Sequence, residues 1–339
     1  MVVNLKVPDF RSIVPRLAAA LLAAACLTAA LPARAQDLAA AALQSRSFSS
    51  RRTGARGLLN PLLEIEPDLE YTELRPFRHK IEQLIALHKS TEDIVVASVY
   101  FRDLNNGAVI GVDSDEKFVP ASLLKVPIML AVFHKAEDNP DFLNMQVRYD
   151  ARADAVPMLS TRTLEAGQYY TVERLTRAML AESDNNAAFL LKALVGPKAV
   201  EDVYVDLGLS IPGVRDPDDE IRVKEYGTFF RMLYNASYLS RANSQKALEM
   251  LAGSTFADGL RAGVPADVVV AHKYGERYRQ DAKVRQLHDC GIVYYPPRPY
   301  LLCIMTRGED FNDLKATIKD LSRLVYEEVS SADKPAAKP

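Results

Sequence analysis

Apolar residues recur at helical spacing in several long segments of the chain, and this period predicts helices. The segments are residues 76–89, 126–133, 172–194, 223–234, 244–252 and 311–329. The run at 126–133 is apolar on all sides, which is typical of a buried helix. In the segment 172–194 a polar stretch at 182–186 interrupts the pattern, so we expect two helices with a break between them.

Strand patterns lie near both ends of the helical region. Residues 94–102 and 108–112 flank Asn105-Asn106-Gly107, which predicts a hairpin. A run of strands is predicted from residue 268 onward, with His272-Lys273-Tyr274-Gly275 at the end of the first one. These positions predict an α/β protein of the α+β type: one antiparallel sheet, flanked by the terminal helices, with a helical subdomain inserted. A cleft is expected between sheet and subdomain.

Cys290 and Cys303 lie in two apolar segments joined by Pro296-Pro297-Arg298-Pro299. This predicts a hairpin with a stiff turn. If Tyr295 pairs with Tyr300, the two cysteines share a face but are offset by one pair. The sequence therefore favours two small buried thiols over a disulfide, although an oxidising compartment would permit one.

The N-terminus is typical of a secretory signal peptide. Lys6, Arg11 and Arg16 precede an apolar stretch from residue 17 to 31, and Ala33-Arg34-Ala35 follows. The stretch is shorter than the roughly 20 residues that span a membrane, so we expect cleavage after Ala35, no stable membrane span and a periplasmic or extracellular protein. A lipoprotein attached through Cys26 is a minor alternative.

The remaining organisation follows from composition. Residues 36–68 contain alanine, then arginine among serine and glycine, and predict a flexible linker. We expect the folded domain over residues 69–329 and a disordered tail over 330–339. The formal net charge of -2 gives no general attraction to nucleic acid. Because zinc-type Cys/His spacing and a phosphate-binding loop are both missing from the sequence, we expect no metal and no cofactor. We further expect a monomer with a small-molecule substrate.

The tetrad Ser122-Leu123-Leu124-Lys125 places a hydroxyl and an amine three residues apart at the start of the apolar run. On a helix such residues are neighbours, so Lys125 can accept the Ser122 proton. The same spacing occurs at Ser114/Lys117 and Ser331/Lys334, and one match is expected by chance in a chain of this size. Only the Ser122 tetrad leads into an apolar helix, whose N-terminus would favour an oxyanion there.

Three ordered motifs resemble the signature of the penicillin-recognising serine enzymes, specifically the class A β-lactamase and transpeptidase-like fold. They are Ser122-Leu123-Leu124-Lys125, Ser183-Asp184-Asn185 and Lys273-Tyr274-Gly275, with the further echoes Phe118-Val119-Pro120-Ala121 and Asp289-Cys290-Gly291-Ile292-Val293. The resemblance spans residues 69–329. Taken alone, without the resemblance, the second motif predicts a helix break or cap, and the third predicts a surface turn.

The resemblance implies a role for each matching residue. Ser122 would be the acylated nucleophile, Lys125 its base or a proton relay, and Ser183 the hydroxyl that passes a proton to the leaving nitrogen. Lys125 accepts a proton only if its pKa is low, which burial and the nearby Lys273 would favour.

Further residues would bind the substrate. Asn185 would hold Lys125 and the substrate amide, and Lys273 would attract the substrate carboxylate. Gly275 would let the substrate approach the strand, and the backbone N–H groups of Ser122 and Glu276 would form the oxyanion hole.

Two departures from the family pattern affect these expectations. Tyr274 would also lie on the substrate-binding side, where the family has a short hydroxyl beside the carboxylate. After the second motif, class A enzymes carry a Glu followed closely by Asn, and this pair holds the deacylating water. Residues 208–222 contain no Asn and offer Asp216-Pro217-Asp218-Asp219-Glu220. Asp216 or Glu220 would be the deacylating base, while the alternative is a solvated acidic turn.

Three functions remain open from the sequence. The first is hydrolysis of β-lactam amides through an acyl-Ser122 intermediate. The second is a penicillin-binding D-Ala-D-Ala peptidase, or a cell-wall amidase or esterase. The third is a binding or sensor module that is acylated without turnover. Length, motif types and layout favour the first. The acidic stretch 208–222, which is short for the family, favours the other two.

Overall fold

The computed structural model describes residues 69–70, 72–150, 164–212, 220–279 and 283–331. The predicted signal peptide, Cys26 and the linker precede the described residues, and nearly all of the predicted tail follows them. Within this part of the chain no helix is both long and apolar enough to cross a membrane.

The described residues form eight α-helices and a main sheet. The helices are α1 (Arg75–Ser90), α2 (Lys125–Asp138), α3 (Val172–Ala181), α4 (Asn185–Val195), α5 (Pro197–Asp206), α6 (Val223–Asn235), α7 (Arg241–Ala252) and α8 (Phe311–Ser331). The strands are β1 (Leu69–Glu70), β2 (Val96–Asp103), β3 (Ala108–Val112), β4 (Lys117–Phe118), β5 (Gln146–Arg148), β6 (Tyr169–Thr171), β7 (Ile221–Arg222), β8 (Val270–Arg279), β9 (Val284–Val293) and β10 (Tyr300–Gly308).

The main sheet has the strand order β1-β3-β2-β10-β9-β8. The five strands from β3 to β8 are antiparallel, and the two-residue β1 adds in parallel to β3. The C-terminal β10 pairs with the N-terminal β2, which confirms the sheet assembled from distant parts of the chain. Strand β8 lies at one edge, and β4–β7 and β5–β6 form two small ribbons.

Each face of the sheet has its own hydrophobic core, because side chains alternate along a strand. In β10, Leu301, Cys303 and Met305 pack with the helices inserted between β4 and β8. Leu302 and Ile304 pack on the opposite face with the terminal helices α1 and α8. Helix α2 runs through the first core and is buried on nearly all sides, as its unbroken apolar run predicted.

Several local predictions are confirmed. The hairpin turns at Asn105-Asn106-Gly107, where Gly107 has a φ of 78°. The helical pattern of residues 172–194 divides into α3 and α4 at Glu182, Ser183 and Asp184. The strand prediction around the third motif was wrong, since β8 continues through Lys273-Tyr274-Gly275 to Arg279. Pairing with β9 over this whole length keeps the tyrosine and glycine extended.

The cysteine prediction was also wrong. Cys290 and Cys303 are directly opposite each other in β9 and β10 and form a disulfide. The register pairs Tyr300 with Val293, not with Tyr295. The turn is longer because both tyrosines after β9 contact other elements: the Tyr294 ring lies 6.4 Å from that of Tyr234, and the Tyr295 ring 5.4 Å from that of Tyr326.

Candidate active site

The first tetrad lies in a short 3₁₀ turn, Ala121–Leu124, that leads directly into α2. The sequence predicted a helix beginning near Ser122, and the α-helix begins instead at Lys125. Ala121 has a φ of 50°, which side-chain-bearing residues rarely adopt and which marks a constrained site. Ser122 is half-buried and Lys125 is 4% exposed. We call Pro120–Leu124 the nucleophile turn.

Four oxygen atoms surround the Lys125 Nζ atom. It lies 2.8 Å from Ser122 Oγ, 2.9 Å from Ser183 Oγ, 2.7 Å from the Ser183 carbonyl oxygen and 2.6 Å from Asn185 Oδ1. The carbonyl and amide oxygens only accept hydrogen bonds, so they take two N–H groups of the amine. Its third position is directed to the two serine hydroxyls. In the neutral amine that position is a lone pair, which can accept the Ser122 proton.

The charge state of Lys125 suits this exchange. Burial lowers its pKa from 10.5 to about 7, against the opposing attraction of Asp184 and Glu276. Removing a charged amine from water disfavours the ammonium form. Near pH 7, therefore, both the neutral and the protonated form of Lys125 are populated.

The second motif is both a helix break and part of the site. Asp184 caps α4, since its Oδ1 accepts the Ala187 N–H at 2.9 Å, and its Oδ2 accepts the Tyr149 hydroxyl at 2.7 Å. Ser183 has a φ of 56°. This left-handed residue turns the chain so that Ser183 Oγ and Asn185 Oδ1 both contact Lys125. Tyr149 was not predicted, because a contact over 35 residues leaves no local sequence signal.

Lys273 approaches the same serine from β8. Its Nζ donates to Ser183 Oγ at 3.0 Å and to the Tyr274 carbonyl oxygen at 2.8 Å, and its side chain is fully buried. Burial and the positive charge of Lys125 hold the pKa of Lys273 well below its usual range. The serine oxygen thus lies between two amines, which can occupy both of its lone pairs and leave its own hydrogen available to donate.

The register of β8 directs selected backbone groups toward the nucleophile turn. The Tyr294 N–H donates to the Val269 oxygen, so odd-numbered residues of β8 bond to β9. Even-numbered residues point their backbone groups outward from the sheet edge. The Glu276 N–H belongs to this outward set, as does the Tyr274 carbonyl that accepts from Lys273.

Gly275 allows β8 to lie close to the nucleophile turn. A Cβ atom at this position would be 2.8 Å from the Pro120 oxygen and 3.1 Å from the Leu123 nitrogen. Both contacts are with backbone, which cannot easily shift. The sequence predicted a glycine for substrate approach, and the structure adds a steric requirement within the protein.

The Tyr274 side chain lies in the core beneath the terminal helices and is 1% exposed. Its ring stacks on Phe256 with a centroid distance of 4.2 Å and an interplanar angle of 22°. Phe256 was not predicted as part of the site, because it follows α7 and belongs to none of the three motifs.

Two further residues that the sequence did not indicate hold the nucleophile turn and the segment before it. His288 Nε2 lies 3.0 Å from the Val119 oxygen, and the Tyr226 hydroxyl donates to the Leu123 oxygen at 2.9 Å. Burial lowers the pKa of His288 to about 4, so its ring is neutral at pH 7 and donates from Nε2. Its Nδ1 accepts the Thr306 N–H at 3.3 Å.

Only one of the two candidate deacylating acids is among the described residues. Asp216 lies outside the described residues. Glu220 is described and is exposed immediately before β7, whose Ile221 pairs with Phe118 of β4. Among the described residues no group of histidine, cysteine and acidic side chains is arranged to hold a metal ion.

Comparison with known proteins agrees with this geometry. The beta-lactamase enzyme family matches residues 76–329. A beta-lactamase of Streptomyces albus G is 28% identical over 229 residues, covering 61% of this chain and 71% of the relative.

Solved structures share the fold. An ancestral class A beta-lactamase superposes with a TM-score of 0.63 at 25% identity, covering 73% of this chain and 99% of that one. A point mutant of PBP-A, solved as an acyl-enzyme complex with penicillin G, superposes with a TM-score of 0.65 at 22% identity, covering 79% of this chain and 100% of that one.

The fold and the family match define a serine hydrolase of the β-lactamase and transpeptidase-like class. The chain belongs to the beta-lactamase enzyme family.

Proposed function

We propose that this protein opens the amide bond of β-lactams through an ester with Ser122. The observation that carries the proposal is the continuous hydrogen-bonded group of Ser122 Oγ, Lys125 Nζ, Ser183 Oγ and Lys273 Nζ. This group joins a nucleophile, a base of suitable pKa and a hydroxyl that can deliver a proton. The substrate is a small molecule, and the reaction needs no cofactor or metal.

In the first half-reaction Ser122 Oγ attacks the lactam carbonyl carbon. Lys125 in its neutral form takes the Ser122 proton as the C–O bond forms. The C–N bond then breaks, and Ser183 delivers its hydrogen to the leaving nitrogen while receiving one from Lys125. Atoms balance, since the serine proton ends on the former lactam nitrogen.

The developing negative charge on the carbonyl oxygen needs two donors. We assign them to the backbone N–H groups of Ser122 and Glu276. The outward direction of the Glu276 N–H and the close approach of Gly275 to the nucleophile turn support this assignment. Preorganised donors of this kind contribute about 10²- to 10³-fold in rate each. Asn185 and Gly275 complete the substrate-binding side of the site. Of the other two residues predicted there, Lys273 contacts Ser183 Oγ, and Tyr274 contributes the carbonyl oxygen that accepts from Lys273.

In the second half-reaction water hydrolyses the ester. Asp216 and Glu220 are the candidates to activate that water, with an acidic turn of no catalytic role as the alternative. Residues 208–222 contain no Asn to help hold a water, in contrast to the class A pattern. This feature favours a second candidate, in which the acyl-enzyme forms and persists. The protein would then be a D-Ala-D-Ala peptidase, a cell-wall amidase or esterase of slow turnover on β-lactams, or a sensor.

Export fits the proposed reaction. The predicted signal peptide over residues 1–35 would deliver a folded domain of residues 69–329 to the periplasm or the exterior. The Cys290–Cys303 disulfide supports this location, because disulfides persist in oxidising compartments. A monomer without nucleic-acid partners is sufficient, because the described motif residues come from a single chain.

A chromogenic cephalosporin tests the proposal. Steady colour release by the purified protein supports a β-lactamase, and one colour equivalent per chain with a stable adduct supports the second candidate. Ser122→Ala should abolish both. Ser114→Ala is the matched control, because Ser114 begins a tetrad of the same spacing outside the site. Equal activity of the wild type and Ser122→Ala would contradict the proposal.

A further inference from the structure

The Lys273 ammonium faces the ring of the residue that follows it. Its Nζ lies 4.0 Å from the centroid of the Tyr274 ring, on the same side chain that stacks against Phe256. Neighbouring side chains of a strand alternate in direction, but the long lysine stem allows the amine to lie over the ring. The amine is therefore enclosed by Ser183 Oγ, the Tyr274 carbonyl and an aromatic face.

This arrangement fixes where the amine can point. Two of its hydrogens are directed at oxygen acceptors, and an aromatic face attracts a cation within about 6 Å of its centroid. The Tyr274 ring is itself buried and also stacks on Phe256. With the Lys273 side chain fully buried, its amine is withdrawn from the surface that a substrate carboxylate would approach.

We propose that Tyr274 is a positioning residue whose ring holds the Lys273 ammonium against Ser183 Oγ for proton transfer, so that Lys273 serves the Ser183 hydroxyl and not a substrate carboxylate. The proposal deepens the proposed function and depends on it. A short hydroxyl at position 274 could not supply this aromatic face. The bulky residue thus changes the role of the third motif from carboxylate binding to orientation of the proton relay.

The ring should also influence the charge of Lys273. The charged groups that act on this amine are Lys125 at the start of α2, Asp289 on β9 and Glu276 on its own strand. Burial and Lys125 favour loss of the proton, whereas an aromatic face favours its retention. Removing the ring therefore lowers the pKa of Lys273 further, while the other three groups remain in place.

Four variants separate positioning from packing. Tyr274→Phe keeps the ring, Tyr274→Leu removes it, and Tyr274→Met removes it while filling the space with a flexible apolar side chain. Phe256→Leu disturbs the same core but leaves the contact between Lys273 and the ring. The readouts are the rate constant for acylation of Ser122, its KM, and the pH at which acylation declines on the alkaline side.

We expect Tyr274→Leu and Tyr274→Met to lose about 10- to 100-fold in the acylation rate constant with little change in KM. Their alkaline limit should move down by about one pH unit. Tyr274→Phe and Phe256→Leu should stay within about threefold of the wild type with an unmoved limit. Should Tyr274→Leu fail to fold, Tyr274→Met carries the test.

The proposal is wrong if Tyr274→Phe and Tyr274→Met have the same acylation rate constant and the same alkaline pH limit. It is also wrong if Phe256→Leu loses as much of the acylation rate constant as Tyr274→Leu. A cephalosporin and its methyl ester supply a second measurement. KM values within about threefold are expected, and a KM raised tenfold or more by esterification would overturn the claim that Lys273 does not bind the carboxylate. A wild type that forms no ester with Ser122 would instead refute the proposed function.

Discussion

The nucleophile turn and strand β8 each bring one buried lysine to Ser183, and they hold that lysine by different means. Lys125 lies among four oxygens contributed by the turn and the second motif. Lys273 contacts one hydroxyl, its neighbour's carbonyl and an aromatic ring. An amine held by acceptors and hydroxyls stays in place when it loses its proton, whereas the attraction of a ring requires the positive charge. The first environment suits a base, and the second suits a charged hydrogen-bond donor that orients Ser183.

Removing each amine should give the largest effects and should separate the two roles. We expect Lys125→Ala to reduce the acylation rate constant about 10³- to 10⁴-fold, because Ser122 loses its base. Lys273→Ala should cost about 10²-fold, because Ser183 is misplaced while the base remains. Lys117→Ala is the matched control from the second tetrad and should retain full activity. A greater loss in Lys273→Ala than in Lys125→Ala would reverse the assignment.

The support of the nucleophile turn should depend on pH through His288. Burial lowers its pKa from 6.5 to about 4, so the folded state favours the neutral ring. The resulting stability is complete above pH 6.5 and is lost as the pH falls toward 4, because the unfolded chain binds the proton first. The pKa difference corresponds to about 3 kcal/mol.

Denaturant unfolding at pH 7 and pH 4 measures this contribution. The free energy of unfolding should fall by about 3 kcal/mol more in the wild type than in His288→Gln, which cannot titrate there. An equal fall in the two proteins would show that His288 does not stabilise the segment before Ser122.

The stability of the sheet around β8 should depend on the Cys290–Cys303 disulfide. Cys290 lies opposite Lys273 in the pairing of β8 with β9, and it is joined to Cys303 of β10. We expect reduction to lower the free energy of unfolding by about 2–3 kcal/mol, because it releases a cross-link closing a short loop. Unfolding with and without a reductant measures this, and a Cys290→Ala/Cys303→Ala double variant should not respond to the reductant. A wild type that is equally insensitive would argue against the cross-link.

Gly275 is where the two regions meet, and enlarging it should disturb both. The Cβ of Gly275→Ala would lie 2.8 Å from the Pro120 oxygen. We expect about 1–3 kcal/mol of destabilisation, with a loss of acylation rate as the turn and strand separate. Gly253→Ala is the control, because its Cβ would make an ordinary contact at 3.4 Å. Equal behaviour of the two variants would indicate that the close approach has no functional role.

Much of the fold was predictable because its signals are local. Helical periodicity placed α1, α6 and α8 within a few residues, and the Asn-Gly turn placed the first hairpin. The apolar run after Ser122 correctly predicted a buried helix. The predicted offset between the cysteines was wrong. The register of β9 and β10 depends on how Tyr294 and Tyr295 pack against elements that are distant in the sequence.

The residues of the candidate site also divide into those that the sequence predicted and those that it did not. Motif spacing predicted that Ser122, Lys125, Ser183 and Lys273 share one site, and the structure brings their polar atoms together. The environment of Tyr274 was not predictable, since it depends on Phe256 and on the continuation of β8 past the third motif. His288 and Tyr226 also left no signal, because they act through backbone oxygens of the turn and the segment before it.

The mass of the protein quenched in acid within milliseconds of mixing with a β-lactam tests most directly whether Ser122 forms the ester. We expect a chain heavier by one intact β-lactam, with the added mass on the peptide that contains Ser122. No such species is expected in Ser122→Ala. An adduct on another peptide, or turnover of the β-lactam by Ser122→Ala at the wild-type rate, would contradict the ester with Ser122.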